Sequence, residues 1–208
     1  MAAPNLTTHL PIIQVLEKAG TTPYTISNNE AAGQTFLCGT PVQLNASGFV
    51  QAWDGTTVSL GILGISESFG LNLGSAGAGA PVPPFGGVTG NIATATYGNV
   101  PGQPLGVNIA IGTPVSDGRT LYMSPNQDNI FSALFDNSSG TVAADWTPVQ
   151  ADIGKTYGMT KSTGDGTWYV DKGKTGGSAV VQILSLPNGS GLNYPVYFQF
   201  ITTAIQIN

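Results

Sequence analysis

The residue types that usually carry out chemistry are scarce in this 208-residue chain. It contains one histidine, His9, and one cysteine, Cys38. A Ser-His-Asp or Cys-His arrangement needs a histidine as its base, and here only the N-terminal segment could supply it. A zinc site needs several closely spaced nitrogen or sulfur ligands, which one histidine and one cysteine cannot provide. Cys38 follows the apolar Leu37, and we expect it to be a small buried side chain.

Some of the eleven acidic residues could bind a metal ion. Asp117, Asp128 and Asp136 are candidate calcium ligands, but the dense acidic loop that a hard cation requires is missing. Most aspartates stand beside glycine, asparagine or serine, which is typical of turns. The pairs predicted as turns are Asp54-Gly55, Asp117-Gly118 and Asp165-Gly166. We therefore predict no metal and no cofactor.

Two further groups of residues could act on or bind a sugar. Asp145, Asp152 and Asp171 could converge as the paired carboxylates of a glycosidase, although nothing in the sequence selects them. Aromatic side chains could stack on sugar rings, but we favour packing in the core as their role. The aromatic candidates are Trp53, Trp146, Trp168, Tyr157 and Tyr169. A hydrolase stays open as an alternative, but we predict that the chain is not an enzyme.

The composition indicates what kind of surface the chain presents. Charged residues make up 8% of it, against about 25% in ordinary soluble domains. A surface of serine, threonine, asparagine, glutamine and glycine loses little on dehydration when its groups find hydrogen-bond partners, so it suits permanent subunit contacts. A stable extracellular β protein with a plain polar surface would have the same composition.

The formal net charge is −5, and the densest basic cluster is Lys172-Gly173-Lys174. Nucleic acid is held by several basic side chains acting together, so we predict no nucleic-acid partner. No apolar run reaches the roughly 18 residues of a membrane span, and the N-terminus lacks the pattern of a signal peptide. We expect a protein made in a cytoplasm, with no membrane partner.

The local pattern is that of short strands and tight turns. Gly39-Thr40-Pro41-Val42 recurs as Gly112-Thr113-Pro114-Val115, and each copy reads as the start of a hairpin. The first continues through 49–53 and 60–65, which predicts a compact β-meander. Further strands are predicted at 91–97, 105–110, 121–123, 130–135, 168–171, 179–184 and 196–200. In the last one, the change of parity after Phe200 predicts a bulge or bend.

Two segments differ from this pattern. Residues 1–32 have apolar residues at helical spacing, but their threonine-rich and proline-containing flanks favour an extended arm. Folding back onto its own core is the alternative for this arm. Residues 67–87 are rich in glycine and proline and predict a long loop. The sequence thus predicts an all-β domain over 33–208, preceded by an N-terminal arm over 1–32.

Taken together, these turns and strands resemble the tailed-bacteriophage capsid decoration (cement) proteins. The segments that carry the resemblance are 39–42, 48–52, 61–65, 152–158, 168–171 and 180–183. The resemblance implies a β-barrel or β-sandwich that binds the outer surface of an assembled head, often as a trimer, and stabilises it. The stretch 67–87 has no counterpart in that pattern.

The expected partners are therefore the major capsid protein and other copies of the chain, in a homo-oligomer that we expect to be a trimer. The acidic balance favours the outer face of the capsid, away from DNA. The alternative is a carbohydrate- or receptor-binding fibre or tail module of a virion. Apolar residues of the arm and loop are the predicted capsid contacts. They are Leu10, Ile12, Ile13, Val15, Leu16, Val82, Pro84 and Phe85.

Overall fold

The computed structural model describes residues 12–17, 25–31, 34, 36–55, 61–67, 119–125, 129–192 and 194–206. The strands in these ranges are β1 (Ile13–Glu17), β2 (Thr25–Asn29), β3 (Pro41–Leu44), β4 (Val50–Ala52), β5 (Gly64–Ser66), β6 (Arg119–Met123), β7 (Asn129–Asp136), β8 (Thr156–Lys161), β9 (Trp168–Asp171), β10 (Val181–Ser185) and β11 (Pro195–Phe200). Helix α1 spans Ala143–Trp146, and 3-10 turns span Gln150–Asp152, Gly176–Ser178 and Thr202–Ala204. The predicted all-β class is confirmed.

The larger sheet closes on itself. Its strand order is β1-β7-β11-β10-β8-β9, and an additional parallel pairing joins β9 back to β7. One edge of β7 is shared between two strands: β1 pairs with its first half, and β9 pairs at Phe135 and Asp136. Strands β7, β11, β10, β8 and β9 therefore form a five-stranded barrel, and β1 extends its sheet.

The smaller sheet contains the first predicted hairpin. Strands β3 and β4 pair antiparallel, and the Asn45 side chain accepts hydrogen bonds from the backbone N–H groups of Ser47 and Phe49 in the turn between them. Gly48 completes this turn at φ 81°, a conformation that favours glycine. However, β5 pairs with β3 rather than with β4. The prediction of a simple meander is therefore wrong, since β3 lies between its two partners.

The strand order of the smaller sheet is β2-β6-β5-β3-β4, and its two edges are linked. A parallel bridge joins Glu30, directly after β2, to Val50 in β4. A second parallel bridge, between Ile62 and Ile205, connects this sheet to the end of the chain. Gly61 approaches that end so closely that an added Cβ would lie 2.7 Å from the backbone nitrogen of Gln206. The two sheets are thus joined through backbone contacts.

The main core fills the barrel and extends to residues of the smaller sheet. Phe131, Phe198 and Phe200 pack against each other, with ring centroids 5.4–5.9 Å apart. From the smaller sheet and the segments beside it, Trp53, Ile62 and Ile65 join the same core. A second, smaller cluster consists of Phe36, Val42, Val50, Leu63 and Tyr122. Burial of aromatic and branched side chains is the main stabilising contribution to such a fold.

The end of the chain follows the predicted pattern. In β11, buried Val196, Phe198 and Phe200 alternate with partly exposed residues. Directly after Phe200 the chain enters the 3-10 turn Thr202–Ala204. The predicted bend near Phe200 is confirmed, because the turn ends the period-two alternation. Within the described ranges, no helix is long and apolar enough to span a membrane.

The N-terminal segment is extended where the structure describes it, but it belongs to the two sheets. Strand β1 pairs with β7, and β2 pairs with β6. The boundary drawn at residue 32 therefore does not separate an arm from the sheets. The second Gly-Thr-Pro-Val copy at 112–115, the strands predicted at 91–97 and 105–110, and the loop 67–87 beyond Glu67 lie outside the described residues.

Candidate functional site

Asp171, one of the three candidate glycosidase carboxylates, is fully buried at the end of β9. Its carboxylate accepts hydrogen bonds from the backbone N–H groups of Ser138 and Gly173, at 3.0 and 2.9 Å. It also accepts one from the hydroxyl of Thr160 in β8. These donors belong to two turns and a neighbouring strand, so Asp171 fixes the geometry of this end of the barrel.

Asp152 is also buried, with 1% of its side chain exposed, but cations surround it. One carboxylate oxygen, Oδ1, accepts a hydrogen bond from the Tyr157 hydroxyl at 2.7 Å and lies 3.7 Å from Lys155 Nζ. The other, Oδ2, accepts the backbone N–H of Val149 at 2.9 Å and lies 3.5 Å from Lys172 Nζ. Burial alone would raise the pKa of Asp152, but the two hydrogen bonds and the two lysines lower it. Asp152 is therefore a buried anion that holds two lysine ammonium groups.

Asp152 completes one of two similar capped turns. In Val142-Ala143-Ala144-Asp145 and Val149-Gln150-Ala151-Asp152, the aspartate accepts the backbone N–H of the valine three residues earlier. Each aspartate thus satisfies an N–H at the start of a short helical segment. Asp145 also bonds the N–H of Thr141, and these backbone hydrogen bonds lower the pKa of Asp145. The Val-x-Ala-Asp spacing occurs twice in the sequence, and this repeat could have predicted the two capped turns.

Both turns expose their valine. Val142 and Val149 are exposed, and Ala143, Ala144 and Ala151 are exposed beside them. Valine at the cap has no side-chain oxygen for the N–H groups that follow, so the aspartate that bonds the valine's own N–H is the side-chain half of the cap that is present. The segment 142–151 therefore presents small uncharged side chains on a backbone that its own aspartates hold in place.

Lys155 and Lys172 line an open depression of about 540 Å³. Gly154, Thr156 and Tyr157 line it from the start of β8, and Thr175 and Gly176 line it from the segment after β9. Burial and the hydrogen bond to Asp152 raise the pKa of Tyr157, so its phenol stays neutral and is not poised for proton transfer. With two ammonium groups and hydroxyl-bearing threonines at its surface, the depression is suited to holding an anion.

The predicted site residues are only partly brought together. Asp152 and Asp171 serve different networks, and the Asp145 carboxylate caps α1. No cluster of three or more histidine, cysteine, aspartate or glutamate residues that could hold a metal occurs among the described residues. Asp136 is buried and accepts the N–H of Asn137. His9, Asp117 and Asp128 lie outside the described residues.

The candidate sugar-stacking aromatics are core residues. Trp53, Trp146, Trp168, Tyr157 and Tyr169 are all buried. Trp53 and Trp168 contact each other, with ring centroids 5.1 Å apart, and Trp146 Nε1 donates a hydrogen bond to the carbonyl of Asn137. The predicted core-packing role is confirmed. The three tryptophans and Tyr169 therefore offer no face on which a sugar could stack, and Tyr157, which lines the depression, is only 4% exposed.

Cys38 is only partly buried, so the prediction of full burial is wrong. Its Sγ donates a hydrogen bond to the carbonyl oxygen of Ser66, at 3.6 Å. Burial, followed by the negative charge of Glu67, raises the pKa of the Cys38 thiol. A thiol with a raised pKa is a poor nucleophile at neutral pH.

The predicted capsid-contact residues have different surroundings. Ile12 is buried and packs in the main core, whereas the Ile13 side chain is 53% exposed. Val15 is partly exposed, and Leu16 pairs with Ile130 of β7. Leu10, Val82, Pro84 and Phe85 lie outside the described residues. Among Ile12, Ile13 and Val15, Ile13 offers the most surface to another molecule.

Comparison of the chain with protein-family models, with curated proteins and with solved structures finds no significant match.

Proposed function

We propose that this protein is a structural subunit of a virion that binds the outer surface of a phage capsid and stabilises it as a decoration protein. The observation that carries the proposal is how the fold uses its chemical groups. The aspartates placed at the candidate site are bonded to backbone groups, and the tryptophans are in the core. Because only 8% of the residues are charged, most side chains exposed on the described surface are uncharged.

Several exposed apolar side chains support contact with other proteins. The large ones among the described residues are Ile13, Val142, Val149, Leu192 and Tyr194. Single exposed apolar residues are normal, but here they stand on a surface with few charges to be desolvated. Such a surface can enter a lasting interface at little electrostatic cost, as a capsid-bound subunit requires.

The closed barrel also suits a protein displayed on a particle. Open sheet edges can pair with other chains, and closure removes them from the five strands concerned. The pairing of β7 with β9 achieves this closure. The resemblance in strand and turn pattern to capsid decoration proteins supports the same role, and the net charge of −5 favours a position away from packaged DNA.

Binding to capsids tests the proposal directly. Purified chain is mixed with expanded, DNA-free heads of the encoding phage that were assembled without it, and the heads are pelleted. We expect saturable co-sedimentation and heads that resist heating better once decorated. Folded protein that stays in the supernatant at every concentration would contradict the proposal.

A surface variant identifies the contribution of the N-terminal segment. Deleting the segment would remove β1 and the core residue Ile12, so loss of binding could reflect loss of folding. Ile13→Ser changes an exposed side chain only and should keep the fold. We expect weaker head binding from this variant, with Thr203→Ser as a control at an exposed site outside the apolar set. Equal binding by Ile13→Ser and wild type would exclude Ile13 as a capsid contact.

The proposed oligomer can be tested without heads. Because the described surface is mainly uncharged, we expect a trimer whose contacts are little screened by salt. Light scattering coupled to gel filtration should give the same mass in low salt and in about 1 M NaCl, an ionic strength at which the Debye length falls to roughly 3 Å. Dissociation by salt alone would show that ion pairs hold the subunits together.

A further inference from the structure

We propose that the depression lined by Lys155 and Lys172 binds a carboxylate side chain of the protein partner, next to an apolar contact at Val149. This inference names the partner chemistry for one contact of the proposed capsid-binding role and so rests on that role. It follows from the charge, the geometry and the neighbours of the depression.

Two ammonium groups place positive charge at the depression, although the chain as a whole is acidic. The chain has six basic residues and a net charge of −5. Lys155 and Lys172 line the depression, and Lys174 directly precedes its lining residue Thr175. The facing acidic groups are Asp152 and, more weakly, Asp145. Asp152 pairs with both lining lysines, so its single negative charge leaves one positive charge for a carboxylate, whereas Lys174 Nζ donates a hydrogen bond to the carbonyl of Met159.

Asp152 holds both lysines in place, but each ammonium group has hydrogen-bond donors left for another acceptor. Their Nζ atoms lie 3.7 and 3.5 Å from Asp152, which is beyond the usual range of a charge-assisted hydrogen bond. Each ammonium has three donors, so a second oxygen acceptor can be bound without breaking the pair with Asp152. Asp152 itself cannot move away, because Val149 and Tyr157 bond its two oxygens.

Lys172 is the more preorganised of the two. Its side chain is 25% exposed, and its Nζ lies 5.7 Å from the centroid of the Phe135 ring. It is therefore partly dehydrated before any ligand arrives, which lowers the cost of binding and strengthens the attraction to an anion. Lys155, at 58% exposed, can move to meet the ligand.

The apolar neighbour indicates a protein ligand. The backbone N–H of Val149 bonds the same Asp152 oxygen that faces Lys172, so the exposed Val149 side chain lies close to the depression. A free inorganic anion would use only the charges. An acidic residue beside an apolar one in a partner would use both features.

Acetate serves as the probe for the isolated site. In ¹H–¹⁵N correlation spectra of the labelled full chain, sodium acetate should cause saturable shifts of the amides of Gly154, Thr156 and Gly176 at constant ionic strength. Acetamide, the neutral isostere, should not. Equal shifts with acetamide, no saturable shift with acetate, or tighter binding of sulfate would each overturn the carboxylate assignment.

Binding to heads then tests the partner. Lys155→Met and Lys172→Met should each weaken head binding, Lys155→Met by about two- to fivefold, the range expected for an exposed ion pair. Lys161→Met removes a charge from the end of the same strand β8, outside the depression, and should bind as wild type does. Lys155→Met is the variant expected to fold without change, since Lys155 is largely exposed.

The outcomes separate this inference from the proposed function. Wild-type binding to heads with Lys155→Met unchanged, or with Lys161→Met equally weakened, would overturn the inference alone. Failure of wild type to bind heads, together with saturable acetate shifts at the depression, would overturn the capsid role and support the carboxylate site.

Discussion

Asp171 and Asp152 are both buried aspartates near the strands that close the barrel, yet their surroundings differ. Asp171 is bonded by Thr160 and by backbone N–H groups from two turns, all neutral donors. Asp152 is bonded by Tyr157 and Val149 and also has two lysines within 4 Å. The Asp171 carboxylate is fully buried, whereas the two lysines paired with Asp152 line a depression at the surface.

This difference separates a structural carboxylate from one that also prepares a surface. Backbone donors fix loops, and their loss leaves buried groups without partners. Lysines paired with a fixed carboxylate create a surface site whose positive charge can bind another molecule. The comparison predicts that substitutions at Asp171 affect stability alone, whereas those around Asp152 affect pH dependence and binding as well.

The largest effect is expected for Asp171→Ala. It removes the acceptor of the N–H groups of Ser138 and Gly173 and of the hydroxyl of Thr160, in hydrogen bonds that are partly buried. We expect the free energy of unfolding to fall by about 2–3 kcal/mol, since each of the three lost hydrogen bonds contributes roughly 1 kcal/mol. Urea unfolding followed by tryptophan fluorescence measures this change.

Thr160→Val is the matched control for that prediction. It removes the Thr160 hydroxyl, which bonds Asp171 and also Tyr169, and leaves the carboxylate with its two backbone partners, so a loss of about 1 kcal/mol is expected. If Asp171→Ala cost no more than Thr160→Val, the network around Asp171 would not hold the turns together as inferred.

An intermediate effect is expected for Asp152→Asn, and it should depend on pH. Because the folded-state pKa of Asp152 is lowered, the carboxylate stabilises the fold above its unfolded pKa of about 3.9, and this contribution disappears as pH falls through the folded pKa. At neutral pH the variant should lose about 1–2 kcal/mol. Below pH 4 the difference from wild type should shrink.

Melting temperatures of wild type and Asp152→Asn between pH 2 and 7 test this prediction. Asp145 also has a lowered pKa, so the variant should keep part of the acid sensitivity. Asp145→Asn is therefore the useful second variant. Parallel melting curves for wild type and Asp152→Asn across the whole range would show that Asp152 does not carry the pH dependence.

The strand and turn pattern was readable in the sequence because it depends on neighbouring residues. The alternation in β11, its bend after Phe200 and the turn at Asn45 all follow from local spacing and local hydrogen bonds. The order of strands depends on contacts between distant residues. The pairing of β5 with β3 and of β1 with β7 could not be read from the intervening sequence for that reason.

The candidate site also combines features that depend on neighbouring residues with contacts between residues that are distant in the sequence. Asp152 and Lys172 were each noticed in the sequence, one as a candidate carboxylate and one in the densest basic cluster. Their contact joins residues from either side of β8 and β9, so only the fold brings them together. The repeated Val-x-Ala-Asp turns were the local signal that could have identified Asp152 as a cap.

The smallest effects on stability are expected at the lysines, and their order sharpens the comparison. Lys172→Met removes the less exposed partner of Asp152 and should lower the free energy of unfolding by about 1 kcal/mol, whereas Lys155→Met should cost about 0–0.5 kcal/mol because exposed ion pairs contribute little. Urea unfolding at low and high salt provides the measurement, and the loss from Lys172→Met should persist in salt because its side chain is largely shielded. A greater loss from Lys155→Met than from Lys172→Met would mean that exposure does not rank the two ion pairs, and the preorganised role given to Lys172 would then be wrong.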